Sequence, residues 1–146
     1  MNCISKCLAA FVLAGLALAG CSSEEPSIVC GREWNMAMQV VADTAMPFKM
    51  ADPMAIQFRY GKGFDFTVLK VAFYEGSLGA RGQEIWTHEA KVSDKMNSYT
   101  LQGKSKRGGM MTTRELTKQK AAGTVVVEFS ADGRVLATRE ISIVIE

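Results

Sequence analysis

Between Gly123 and Ile145, two runs of alternating apolar and polar residues flank Asp132-Gly133, and this pattern commits the segment to a β-hairpin. Val125, Val127 and Phe129 alternate with Thr124, Val126 and Glu128, the period of two of a strand with one buried face. Asp-Gly supplies the left-handed backbone geometry that a tight antiparallel turn requires. The return run carries Val135, Ala137, Ile141, Ile143 and Ile145 on one parity. Arg139 falls on that parity too, which predicts a bulge or an edge position.

The same alternation recurs upstream. Met36, Met38 and Val40 alternate with Ala37, Gln39 and Val41, which assigns both methionines to a core-facing strand parity. Met54, Ile56, Phe58 and Tyr60 alternate more cleanly, and Gly61-Lys62-Gly63 ends that run. A long strand is expected from Phe64 to Tyr74. Its apolar parity shifts from Phe64, Phe66 and Val68 to Leu69, Val71 and Phe73, as a bulge or a strand buried on both faces would produce. Gly76, Gly79 and Gly82 mark a loop, followed by strands near Ile85–Val92 and Tyr99–Leu101. Thr112-x-x-Glu115 fits a capping box, so one helix is expected from Arg114 to Ala122, closed by Gly123.

Seven or eight short strands and one short helix before the final hairpin predict an all-β fold, a single immunoglobulin-like sandwich. The segment Gly123 to Ile145 resembles the closing hairpin of bacterial immunoglobulin-like and fibronectin-like modules. That resemblance bears on fold alone.

The beginning of the chain carries a different signal. Leu8 to Ala19 is continuously apolar, the right length for a signal-peptide core and too short to span a bilayer. It ends in Leu18-Ala19-Gly20-Cys21, which resembles the lipobox of bacterial lipoproteins. The resemblance implies cleavage before Cys21, a diacylglycerol on its sulfur and an acyl chain on the new amino group. Two or three buried chains, at about 0.8 kcal/mol per CH₂, anchor a domain stably. Ser22 in place of aspartate after the anchor implies the outer membrane, with the domain facing the periplasm. The expected organisation is a signal peptide over 1–20, the lipidated cysteine and a polar tether over 21–27, and the sandwich over 28–146.

Placement changes the meaning of the four cysteines. Cys3 and Cys7 leave with the signal and Cys21 takes lipid, so Cys30 has no intramolecular partner. It is either a small buried apolar residue or a thiol that pairs with another chain in an oxidising compartment. Charge is nearly balanced, with 17 Lys and Arg against 15 Asp and Glu. Such balance argues against nucleic-acid binding.

Catalytic sets are absent from the sequence pattern. The single histidine, His88, shares strand parity with Trp86 and reads as packing; a role with Ser98 and Asp94 lacks a nucleophile elbow. Gly103-Lys104-Ser105 mimics the tail of a phosphate loop, but its first glycine would fall at Ser98. Two features remain. Lys104, Lys106, Arg107, Arg114, Lys118 and Lys120 form a basic stretch, mobile around Gly108-Gly109. It is either a solvated face or a patch for an acidic protein or envelope polymer. Met46, Met50 and Met54 lie close in sequence and are candidate soft ligands for Cu(I). The leading expectation is therefore a non-enzymatic, lipid-anchored envelope module that binds a protein or polymer partner. The alternative is a Met-rich periplasmic Cu(I) binder. No cofactor is expected beyond the covalent lipid.

Overall fold

The computed structural model describes residues 24–146. The signal segment, the lipobox and Cys21 lie outside the described residues.

Two sheets form a sandwich. The smaller contains β1 (Ser27–Gly31), β5 (Ala55–Arg59) and β8 (Ser98–Leu101), in the order β1-β5-β8 and all antiparallel. The larger contains β4 (Phe48–Lys49), β6 (Val68–Ser77), β7 (Ala80–Lys91), β9 (Gly123–Ala131) and β10 (Arg134–Val144). Its order is β4-β10-β9-β6-β7, antiparallel except where β4 runs parallel to β10. A separate hairpin pairs β2 (Glu33–Asn35) with β3 (Val40–Ala42). The chain thus alternates between the sheets: β1 in the small one, β4 in the large, β5 in the small, β6 and β7 in the large, β8 in the small, and β9 and β10 in the large. These crossovers and this strand order define an immunoglobulin-like β-sandwich.

The core follows from strand parity. Ile28, Cys30, Ile56, Phe58 and Leu101 of the small sheet face Leu69, Val71, Phe73, Val125, Val127, Phe129, Ile141 and Ile143 of the large one. Phe58 lies at its centre, stacked on Phe129 with ring centroids 4.9 Å apart and parallel to Phe64 at 6.1 Å. Phe64 and Phe66 belong to a loop, not to the strand. They fold inward and close an aromatic cluster with Tyr60, which accounts for the parity shift without a bulge at that point. The bulges of this hairpin occur later, around Tyr74. The expected glycine loop contracts to a turn at Leu78-Gly79, and β7 begins five residues earlier than Ile85.

The final hairpin forms as the pattern requires, with Asp132 and Gly133 at φ 50° and 72°. A bulge between Val135 and Ala137 turns Val135 outward. Arg139 stays on the inner parity, where its guanidinium donates to the Ile28 carbonyl at 2.7 Å and closes the gap to β1. The capping box is also present: Glu115 N–H donates to Thr112 Oγ1, and Thr112 N–H donates back to the Glu115 carboxylate. The helix α1 (Thr113–Thr117) is shorter than expected. Lys118, at φ 59°, ends it, with its N–H on the Arg114 carbonyl, and Gly123 opens β9 instead.

The stretch Met36–Val41 departs most from expectation. Asn35 Oδ1 accepts from Met38 N–H at 2.9 Å and Gln39 adopts φ 54°, so residues 36–39 turn the β2–β3 hairpin. An asparagine side chain that bonds the backbone ahead of it favours a turn over a strand. Met36 and Met38 are consequently 70 % and 71 % exposed, outside the core. The hairpin lies over the outer face of the small sheet. Gly31 has no room for a Cβ beneath Ala42 and Val41, and Gln57 is buried there, donating to the Gln39 carbonyl at 2.8 Å.

Candidate functional site

Arg32 organises the region between β1 and β5. Its Nε donates to Asp52 Oδ2 at 2.8 Å, its Nη1 to the Ala45 carbonyl at 2.8 Å and its Nη2 to the Pro47 carbonyl at 2.9 Å. The guanidinium also lies 4.5 Å from the centre of the Phe48 ring. Asp52 accepts from Lys49 N–H, and its carbonyl and that of Met50 receive the first N–H groups of α1. Burial alone would lift the Asp52 carboxyl, but the Lys49 N–H and the Arg32 guanidinium outweigh it and hold it below the ordinary carboxylate value. This network is built to hold shape, since its donors and acceptors are already engaged with one another.

The six cations of the basic stretch are distributed over three places. Lys104, Lys106 and Arg107 ride on a small closed loop, where Lys104 bridges to Met110 and Ser105 exchanges backbone bonds with Gly108 and Gly109. These backbone bonds close the loop across its two glycines. Arg114 is the second residue of α1, and with its neighbour Glu115 it lines a cleft of about 380 Å³ shared with Arg107, Ser105 and Ile145. Thr112 N–H, the Ser105 hydroxyl and nearby Arg107 hold the Glu115 carboxyl below its usual value. Lys118 lies 5.7 Å from the Trp86 ring, which itself stacks on Phe73. Lys120 follows in the exposed connection to β9. None of the six forms a salt bridge with a described residue.

The methionine trio separates by burial. Met50 and Met54 lie in the hydrophobic core, whereas Met46 is partly exposed before Pro47. The two buried thioethers have the packing role that methionine fills in irregular interiors. Among the described residues no group of three or more His, Cys, Asp or Glu is placed to hold a metal ion. His88 and Ser98 lie in different sheets, and His88 leans toward Trp86 with ring centroids 6.3 Å apart.

Cys30 is sealed between the sheets, with no solvent exposure. Burial pushes its thiol up to about 12, against a smaller opposing pull from Arg139. A thiol reagent at pH 8 is therefore expected to leave Cys30 unmodified in the folded chain and to label it on denaturation. Native-state labelling at the rate of a free thiol would disprove the burial. The pH dependence has a definite sign: the neutral thiol favours the native state. Its contribution is full below about pH 9.0 and is lost as pH rises from there toward 12.

At the end of the sandwich where β1 starts, Glu24 packs its backbone against Gly61, which has no space for a Cβ. Glu24, Glu25 and Pro26 border Tyr60 and Lys62, and Lys62 bridges to Asp65 at 3.2 Å. One open cleft of about 520 Å³ brings Glu24 together with Met38, Gln39, Arg59 and Asn97. Sequence reading did not connect the tether with the Met36–Met38 turn. The only available signal was Asn35 as a turn former.

No protein-family model matches the chain, and no curated protein matches it. Among solved structures, the crystal structure of an immunoglobulin-like protein from Pseudomonas aeruginosa is similar at 13 % identity. The match covers 84 % of this chain and 98 % of that one, with a TM-score of 0.46. The fold assignment stands on the strand order and register described above.

Proposed function

We propose that the protein is a lipid-anchored module of the bacterial cell envelope that binds an envelope protein or polymer and performs no catalysis. The observation that carries this reading is the succession of Leu18-Ala19-Gly20-Cys21, a tether of a few polar residues and a compact sandwich. Polar groups tied to one another, as in the part-buried Arg32 network, suit a scaffold that is recognised by surface shape and charge. The unpaired cations on the Lys104–Arg107 loop and at Arg114 supply one surface of that kind, complementary to an acidic partner.

Crosslinking in intact cells, followed by purification of the native lipoprotein, tests the reading, with Cys21→Ser as the unlipidated control. One dominant partner, lost or weakened in the control, is the expected result. Recovery of the same partners at the same yield from the unlipidated form would remove the anchor from the function. If the basic loop makes the contact, neutralising Lys104, Lys106 and Arg107 should weaken the complex and flatten its salt dependence.

A further inference from the structure

The exposed methionines of the β2–β3 turn lie beside the point where the tether meets the domain, and this juxtaposition has a geometric consequence. Only Ser22 and Ser23 separate Cys21 from Glu24, so an extended chain spans at most about 11 Å between the two. Glu24 is itself fixed against Gly61. Resting on the lipid anchor proposed above, a bilayer surface must therefore pass within that distance of Glu24. Met38 lines the same cleft as Glu24, and Met36 lies two residues before it on the same turn.

We infer that the Met36-Ala37-Met38 turn is a second, non-covalent membrane contact, whose two thioethers enter the interfacial region of the bilayer and orient the domain on its anchor. The occupant is lipid because the tether is too short to admit a protein between this end and the membrane. Unbranched thioethers suit the contact, since they adapt to a fluid, irregular apolar layer. An apolar element at a membrane surface buries about 5–10 Å into the headgroup and acyl boundary. Charge around the turn and the tether end is mixed, with Arg32, Arg59 and Lys62 offset by Glu24, Glu25 and Glu33. The contact is accordingly apolar and insensitive to salt. Val68 and Val135 are also exposed, but on the outer face of the other sheet.

The test uses the full-length protein, processed in bacteria and reconstituted into vesicles of phosphatidylethanolamine and phosphatidylglycerol. An environment-sensitive fluorophore is placed at M38C, and in a second sample at L78C, at the turn between β6 and β7. The β6 strand carries Leu78 about 30 Å away from the tether end. Doxyl-labelled lipid is expected to quench position 38 severalfold more than position 78, equally at low and high salt. Equal quenching at both positions, or quenching at 38 abolished by salt, overturns the inference. Crosslinks from position 38 to a protein in cells, in place of lipid, overturn it as well. Intact-mass measurement separates the two readings. Absence of diacylglycerol from Cys21 removes the anchor and this contact together, whereas lipid without quenching at 38 removes the contact alone.

Discussion

Replacing Phe58 with alanine is expected to destabilise the domain by about 3–5 kcal/mol, the range for removing a fully buried aromatic ring. Phe58 has no exposed surface and touches both sheets through its stacking on Phe129, while Phe64 and Tyr60 close around its other edges. A cavity there loosens the one cluster that joins β5, the 61–67 loop and β9. Domains of this size have total stabilities of roughly 5–15 kcal/mol, so a substantial fraction is lost. Denaturant titration of the full chain in detergent measures this as a lower midpoint at an unchanged slope. Phe58→Leu retains most of the volume and should cost much less. An alanine variant within about 1 kcal/mol of the parent would show that the aromatic cluster does not organise the core.

The second large effect is expected at Arg32. Its removal leaves the Ala45 and Pro47 carbonyls without that donor and the Asp52 carboxylate with the Lys49 N–H alone, and strips a cation from the Phe48 face. Hydrogen bonds to charged groups contribute about 1.5–3 kcal/mol, and the side chain is partly exposed, so Arg32→Ala should cost about 2–4 kcal/mol. Lysine should not restore it, because one ammonium cannot reach the three acceptors spread around the planar guanidinium fork. Asp52 gives the effect a pH signature. Its carboxyl is held below 3.8 in the native state, so its contribution is present above that value and is lost as pH falls through the lowered one. In Arg32→Ala the loss of stability on the acid side should therefore be shallower than in the parent. An identical acid profile would remove the ion pair as its cause.

How far the sequence could be read depended on whether a signal was local. Asp132-Gly133 and Thr112-x-x-Glu115 act within four residues, and both motifs appear where their spacing places them. The helix end was misplaced because Lys118 adopts the left-handed conformation that the pattern assigned to Gly123. Met36 and Met38 were assigned to the core because alternation outweighed a single turn-forming Asn35. Arg32 left no local trace at all, since its partners lie 11 to 20 residues away and only the crossover from β1 to β4 assembles them. The basic stretch illustrates the converse limit. Six cations adjacent in sequence are separated by a tied loop, a short helix and the face of Trp86.

The sealing of Cys30 reaches beyond its own chemistry. With that thiol inaccessible and Met50 and Met54 enclosed beside it in the core, the interior sulfur atoms are shielded from oxidants in solution. Met36, Met38 and Met46 stand outside that shield, so peroxide would convert them to sulfoxides first. Sulfoxidation at Met36 and Met38 would make the proposed membrane contact polar until a reductase reversed it. Among the described residues no strand pairing depends on a disulfide.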